Sequence, residues 1–110
     1  MPIWSPAWTG SNLRVVSYGR AHLEERLKRA LAEAIGGLED PRLFLLTVEA
    51  VRLSPDGRVL TVYVEAFSDE EKALLALSHA ERRLLSEIAR RVRLRHLPRL
   101  EFVPWRARPA

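Results

Sequence analysis

Leu23, Leu27, Leu31, Ile35 and Leu38 recur at spacings of four and three, while Glu24, Glu25, Lys28, Arg29 and Glu33 lie off that line. This spacing winds a single apolar stripe along a helix and predicts an amphipathic helix over Arg20–Leu38. Gly36-Gly37 weaken its last turn, and Pro41 stops it. The period then falls to two over a pair of runs, Leu45–Leu53 and Arg58–Phe67. In the second run Leu60, Val62, Val64 and Ala66 share one face, and Thr61, Tyr63, Glu65 and Phe67 share the other. Ser54-Pro55-Asp56-Gly57 separates the two strands. Proline presets φ and glycine accepts a positive φ, so the pair reads as a β-hairpin.

Ser68-Asp69-Glu70-Glu71 has the form of a capping box, with Ser68 as N-cap and Glu71 reaching back. A short helix is predicted from there to about Leu77. A second is predicted from Ser78 or His79 to about Arg95. Its buried face would carry Leu84, Leu85, Ile88, Ala89 and Val92, with Arg83, Arg90 and Arg93 opposite. Leu97-Pro98 ends it, because a residue before proline is pushed out of the α region. Leu100–Val103 makes a last strand. The class is α+β, in the order α-β-β-α-α-β, with helices packed on one face of a three-stranded sheet. Residues 1–17, with two prolines, two tryptophans and no apolar period, read as a disordered N-terminal extension. A start assigned too far upstream, with the native one at Val15 or Val16, would account for it. Residues 18–105 form the folded domain and residues 106–110 a short basic tail.

A length of 110 residues and a hydrophobic content of 47% suit one domain with one core. The absence of cysteine excludes disulfides, thiolate metal sites and a cysteine nucleophile, and fits a reducing cytoplasm. Apolar runs such as Leu43–Leu46 are too short to span a bilayer, and no leader pattern opens the chain. Charge changes the picture more. From Arg82 to Arg108 nine arginines face two acids, Glu87 and Glu101, a surplus of seven positive charges. The remainder is weakly acidic, and the whole chain carries +4. A concentrated basic end on an acidic body is the footprint of a polyanion-binding protein. Arginine outnumbers lysine sixteen to two, and its planar fork suits bidentate phosphate contact.

Catalytic chemistry finds little support. His22, His79 and His96 have no ligand spacing, which argues against a metal site. Asp69, Glu70 and Glu71 are explained as a helix start rather than an acid–base pair. There is no Gly-rich phosphate loop and no Gly-x-Ser-x-Gly elbow. The chain reads as a non-enzyme with no cofactor and no small-molecule substrate.

The element order is that of a type II KH domain, and the residues extend the likeness. Leu38-Glu39-Asp40-Pro41-Arg42-Leu43, Val51-Arg52-Leu53-Ser54, Val62-Tyr63-Val64 and Leu94-Arg95-His96-Leu97-Pro98-Arg99-Leu100-Glu101-Phe102 resemble the ribosome-binding factor A family in motif and in order. The resemblance covers Tyr18 to Trp105. It implies a cytoplasmic, monomeric bacterial assembly factor without catalysis. Such a factor binds the free small (30S) ribosomal subunit and assists late maturation of its rRNA, including the 5′ region. Ordinary KH domains hold nucleic acid with a Gly-x-x-Gly loop, which this family replaces by an Ala-x-Gly kink. The matching residues here are Ala80-Glu81-Arg82, so the glycine is missing and close backbone approach to a phosphate is lost.

The candidate RNA-binding residues are Arg42, Arg82, Arg83, Arg90, Arg91, Arg93, Arg95 and Arg99. Each has an ordinary alternative as a solvated arginine. Asp40 and Pro41 can equally serve to shape the exit from the first helix, with Arg42 pairing with a nearby acid. Tyr63 and Phe67 share a strand face and suit base stacking, but two aromatics without a third more often make cross-strand packing. Trp105, between Pro104 and Arg106, reads as a hydrophobic plug over the sheet edge. The competing function is a protein-interaction module whose basic helix binds an acidic partner.

Overall fold

The computed structural model describes residues 8–110, with side chains from Gly19 onward. Helix α1 spans Trp8–Gly36, strands β1 and β2 span Thr47–Leu53 and Val59–Glu65, helices α2 and α3 span Glu70–His79 and Glu81–Arg91, and β3 spans Arg99–Pro104. Single 3₁₀ turns lie at Pro41–Leu43 and Trp105–Ala107. Strand order is β1-β2-β3, with β1–β2 antiparallel and β2–β3 parallel, so β2 is central. The result is the α-β-β-α-α-β arrangement with a three-stranded mixed sheet.

The two apolar periods meet in one core. Leu27, Leu31 and Ile35 from α1, Leu60, Val62 and Val64 from β2, Ala73, Ala76 and Leu77 from α2, and Leu84 and Ile88 from α3 are all buried together. Every helix lies against the same side of the sheet: α1 along β1 and α3, α2 along β3. The stripe predicted on α3 is narrower than expected. Leu84, Ile88 and the following Val92 are buried, Leu85 is half-buried and Ala89 is exposed.

The hairpin forms as predicted. Gly57 takes φ 75°, and its N–H donates to the Ser54 carbonyl at 2.9 Å. Ser54 Oγ accepts from the amides of Arg58 and Val59 and donates to Asp56 Oδ1 at 2.7 Å. That hydroxyl, with the Arg58 amide second, holds the Asp56 carboxyl below its ordinary pKa. Helix α1 clamps the turn from outside. The Arg20 guanidinium donates to the carbonyls of Leu53, Ser54 and Pro55, and Glu24 Oε2 accepts from the Leu53 amide at 2.8 Å.

Several boundaries differ from expectation. Helix α1 begins at Trp8 rather than Arg20, so residues 8–17 are helical backbone instead of loose chain. Once a packed stripe has nucleated a helix, each further residue costs little, and no proline intervenes after Pro6. The expectation for residues 1–7 falls outside the described residues. Strand β1 starts at Thr47 because Leu45 sits at φ 65°, in the left-handed region, which breaks an extended run. The N-cap of α2 is Asp69, accepting from the Lys72 amide at 3.2 Å, not Ser68. An anionic cap suits the positive helix end better than a hydroxyl does. Helix α3 ends at Arg91, not Arg95, and Val92 is already extended at φ −130°. Prolonging it would set Arg95 one turn above Arg91, a like-charge pair that buries nothing.

Candidate nucleic-acid interface

The early end of α3 decides the form of the basic surface. Because the chain leaves the helix at Val92, the run Arg93–Leu97 folds back beside α1 instead of climbing away from it. Arg90, Arg91, Arg93 and Arg95 then line an open groove of about 520 Å³ together with Arg26 of α1. A smaller hollow of about 160 Å³ continues it past Arg26, Arg29, Glu33 and Arg91. Buried Val92 forms part of the floor of both.

The charges in this groove are unequal. Arg91 is the fixed member, with Nη1 2.6 Å from Glu33 Oε1 and Nη2 3.6 Å from Glu87 Oε1. Arg90 Nη1 lies 3.2 Å from the same Glu87 carboxylate. These exposed pairs contribute on the order of 0.2–1 kcal/mol each, so they orient side chains more than they stabilise the fold. Arg26, Arg29, Arg93 and Arg95 have no carboxylate within ion-pair distance among the described residues. Four uncompensated guanidinium groups along one groove match the backbone of a nucleic acid.

The eight sequence-predicted arginines do not form one patch. Arg90, Arg91, Arg93 and Arg95 come together. Arg82 and Arg83 are exposed at the far end of α3, next to the helix–helix junction. Arg42 is engaged locally: its Nε and Nη2 reach both oxygens of Asp40 at 3.1 and 2.8 Å, while its amide donates to Asp40 Oδ1 at 2.9 Å. The Arg42 side chain, then its amide, hold the Asp40 carboxyl below its ordinary pKa, and the same contact raises that of Arg42. Arg99 opens β3 next to buried Leu100, so strand alternation turns it toward the side of the sheet away from the helices. Sequence reasoning missed Arg26 and Arg29. Both sit on the flank of the α1 stripe, and the only signal for them was their spacing of three, which faces them the same way.

The junction between α2 and α3 forms without glycine. Ala80 takes φ −92°, ψ 4°, and its N–H is shared between the carbonyls of Ala76 and Leu77, each at 3.1 Å. No residue from Ala80 to Arg82 has a positive φ, so arginine at 82 is compatible with the kink. Glu81 fastens it, with Oε2 accepting from the Leu100 amide on the outer edge of β3 at 2.8 Å. Among the described residues no three His, Asp or Glu side chains cluster as metal ligands, and no helix is long and apolar enough to cross a membrane.

The family model for ribosome-binding factor A matches residues 20–104, which takes in α1 from Arg20, the hairpin, the kink and β3. The chain belongs to the ribosome-binding factor A family. A ribosome-binding factor A from Thermus thermophilus is 75% identical over 95 residues, covering 86% of this chain and 100% of the relative. The crystal structure of ribosome-binding factor A from that organism superposes with a TM-score of 0.80 at 77% identity, covering 82% of this chain and 100% of that one. A homology model of the Thermus thermophilus factor, fitted into a cryo-EM map of its 30S complex, gives a TM-score of 0.70 at 77% identity over 82% of this chain and 99% of that one. Longer ribosome-binding factor A relatives exist: one from Rhodopseudomonas palustris is 44% identical over 84 residues, covering 71% of this chain but only 62% of its own length.

Proposed function

We propose that this protein is a non-enzymatic assembly factor that binds the free small ribosomal subunit and assists late maturation of its rRNA, including the 5′ region. The observation that carries the reading is the arginine groove between α1 and the end of α3, with four guanidinium groups that no carboxylate neutralises among the described residues. Family membership supports it, as does the 30S complex into which the Thermus thermophilus factor was fitted. The work would be done in the cytoplasm by a monomer.

Phosphate contacts give register and affinity with little base readout. Binding energy spent on one rRNA conformation shifts the population toward it and requires no chemistry. Arg90, Arg91, Arg93 and Arg95 would carry most of the contact, with Arg26 and Arg29 beside them. Arg82 and Arg83 would extend it along α3 to the kink. Arg42, tied to Asp40, and Arg99, on the other side of the sheet, would contribute less to this groove.

The test is co-sedimentation of the protein with free small subunits, repeated with an Arg90→Glu/Arg93→Glu variant whose fold is checked by circular dichroism. The expected result is loss of binding by a folded variant and a steep fall of wild-type binding with salt. Full binding by the folded variant overturns the assignment of the face. Binding that survives complete rRNA digestion would favour an acidic protein partner instead.

A further inference from the structure

The helices leave one face of the sheet uncovered, and the residues on it are not those of a blank surface. Leu60, Val62 and Val64 point into the core, so alternation turns Thr61 and Tyr63 outward. The strand register sets Arg52 of β1 and Glu101 of β3 on either side of Thr61, and Ala50 and Val103 on either side of Tyr63. The turn after β3 then brings Trp105 over this face. Its indole meets the Tyr63 ring edge-on, with centroids 6.2 Å apart and planes at 74°. Phe67 stands outside this group, exposed beyond the end of β2.

Trp105 is therefore the second ring of the cluster, and a planar cation supplies a third layer. The Arg108 guanidinium carbon lies 4.1 Å from the Trp105 ring centroid, which shows that this indole face accepts a flat group. Tyr63, Trp105, Arg52, Arg108, Thr61 and Ser54 share the walls of an open cavity of about 590 Å³. Among the described residues no Asp or Glu side chain lines it, although Glu101 pairs with Thr61 in the strand register. Aromatic rings with arginines on either side are what an unpaired nucleotide requires: a surface for the base and cations for its phosphates. A duplex offers no free base to such a site.

We propose that the helix-free face of the sheet is a second RNA-binding surface, specific for single-stranded RNA. An unpaired base takes the place of the Arg108 guanidinium on Trp105, and Arg52 and Arg108 take the flanking phosphates. This rests on the reading that the protein works on rRNA, but it uses none of the arginines of the helix-side groove. The two faces would let one small domain hold a structured rRNA element on one side and a single strand on the other.

The test uses the full chain with Trp4→Phe and Trp8→Phe, which leaves Trp105 as the only tryptophan. The probes are a hexauridylate and a blunt RNA hairpin. Hexauridylate is expected to quench Trp105 emission on binding. Tyr63→Ala and Arg52→Ala should each weaken it roughly 5-fold or more, given the size of base–aromatic stacking and of a lost phosphate contact. With binding read by fluorescence anisotropy of labelled hexauridylate, since these variants carry no tryptophan, Trp105→Ala should do the same and Trp105→Phe should restore most of the affinity. Affinity for the blunt hairpin should stay unchanged in all of these. An Arg93→Ala/Arg95→Ala variant should show the reverse, losing hairpin and subunit binding while keeping the hexauridylate response.

Absence of quenching overturns the proposal, as does equal weakening of both probes by Arg52→Ala. Weakened subunit binding by Trp105→Ala without any hexauridylate response also overturns it, since the face would then meet protein. None of these outcomes touches the helix-side reading, which is tested separately by subunit binding of the Arg90→Glu/Arg93→Glu and Arg93→Ala/Arg95→Ala variants.

Discussion

Replacing Arg93 and Arg95 together by alanine isolates the electrostatic part of the groove. Both are exposed, lie beyond the end of α3, and make no ion pair or side-chain hydrogen bond among the described residues. Their removal should therefore change folding stability by no more than about 0.5 kcal/mol. If each neutralises one phosphate, the slope of log K against log salt should become shallower by about 1.4–1.8 for the pair. At 0.1 M salt that corresponds to an affinity loss of roughly 25–60-fold, if the non-electrostatic part of binding is untouched. The assay is fluorescence anisotropy of labelled protein with free small subunits across a salt series, with urea unfolding as the control for stability. Arg106→Ala is the control for charge: it removes an arginine paired with Glu70 at 2.8 Å, away from the groove, and should leave the slope unchanged. An unchanged slope in the Arg93→Ala/Arg95→Ala variant would refute the reasoning, because those cations would then meet no phosphate.

Three further outcomes follow from the geometry. Leu45→Gly should hold or raise the urea midpoint, since a left-handed leucine costs about 1–2 kcal/mol against about 0.5–1 for glycine's extra backbone freedom, and Leu45 is 63% exposed; Leu45→Ala should not share the gain. Glu81→Ala should destabilise by about 1–3 kcal/mol by stranding the part-buried Leu100 amide, while Glu81→Gln, which keeps an acceptor, should retain most of the stability in the same measurement. Asp40 has its pKa lowered in the folded state, so its contribution is complete above its unfolded value of about 4 and is lost as pH falls through the lowered one. The stability difference between wild type and Asp40→Asn, followed by acid titration of the unfolding midpoint, should therefore shrink only below about pH 4.

The hairpin was legible because its signals are local. Period-two alternation fixes which residues of β2 face the core, and Pro55 and Gly57 fix where the chain turns. The α1 stripe was legible for the same reason, with a period of 3.6. Element ends were harder, since they depend on competition between neighbours. Asp69 displaced Ser68 as a cap, and Val92 left the helix where further turns would have stacked arginine on arginine. The strain at Leu45 gave no signal at all, because nothing in a leucine announces a positive φ.

The basic interface divides along the same line. Composition alone located a surplus of positive charge between Arg82 and Arg108, because charge adds along a chain whatever its fold. Which arginines meet was decided in three dimensions. Packing of α1 against α3 brought Arg26 and Arg29 to Arg91, the end of α3 turned Arg93 and Arg95 in beside them, and the pleat of β3 sent Arg99 to the opposite face. Sequence by itself determined the elements, their order and the sign of the charge, since each follows from residues within a few positions of one another. The tertiary structure decided the groove and the aromatic face, because both are made by residues that only packing brings together.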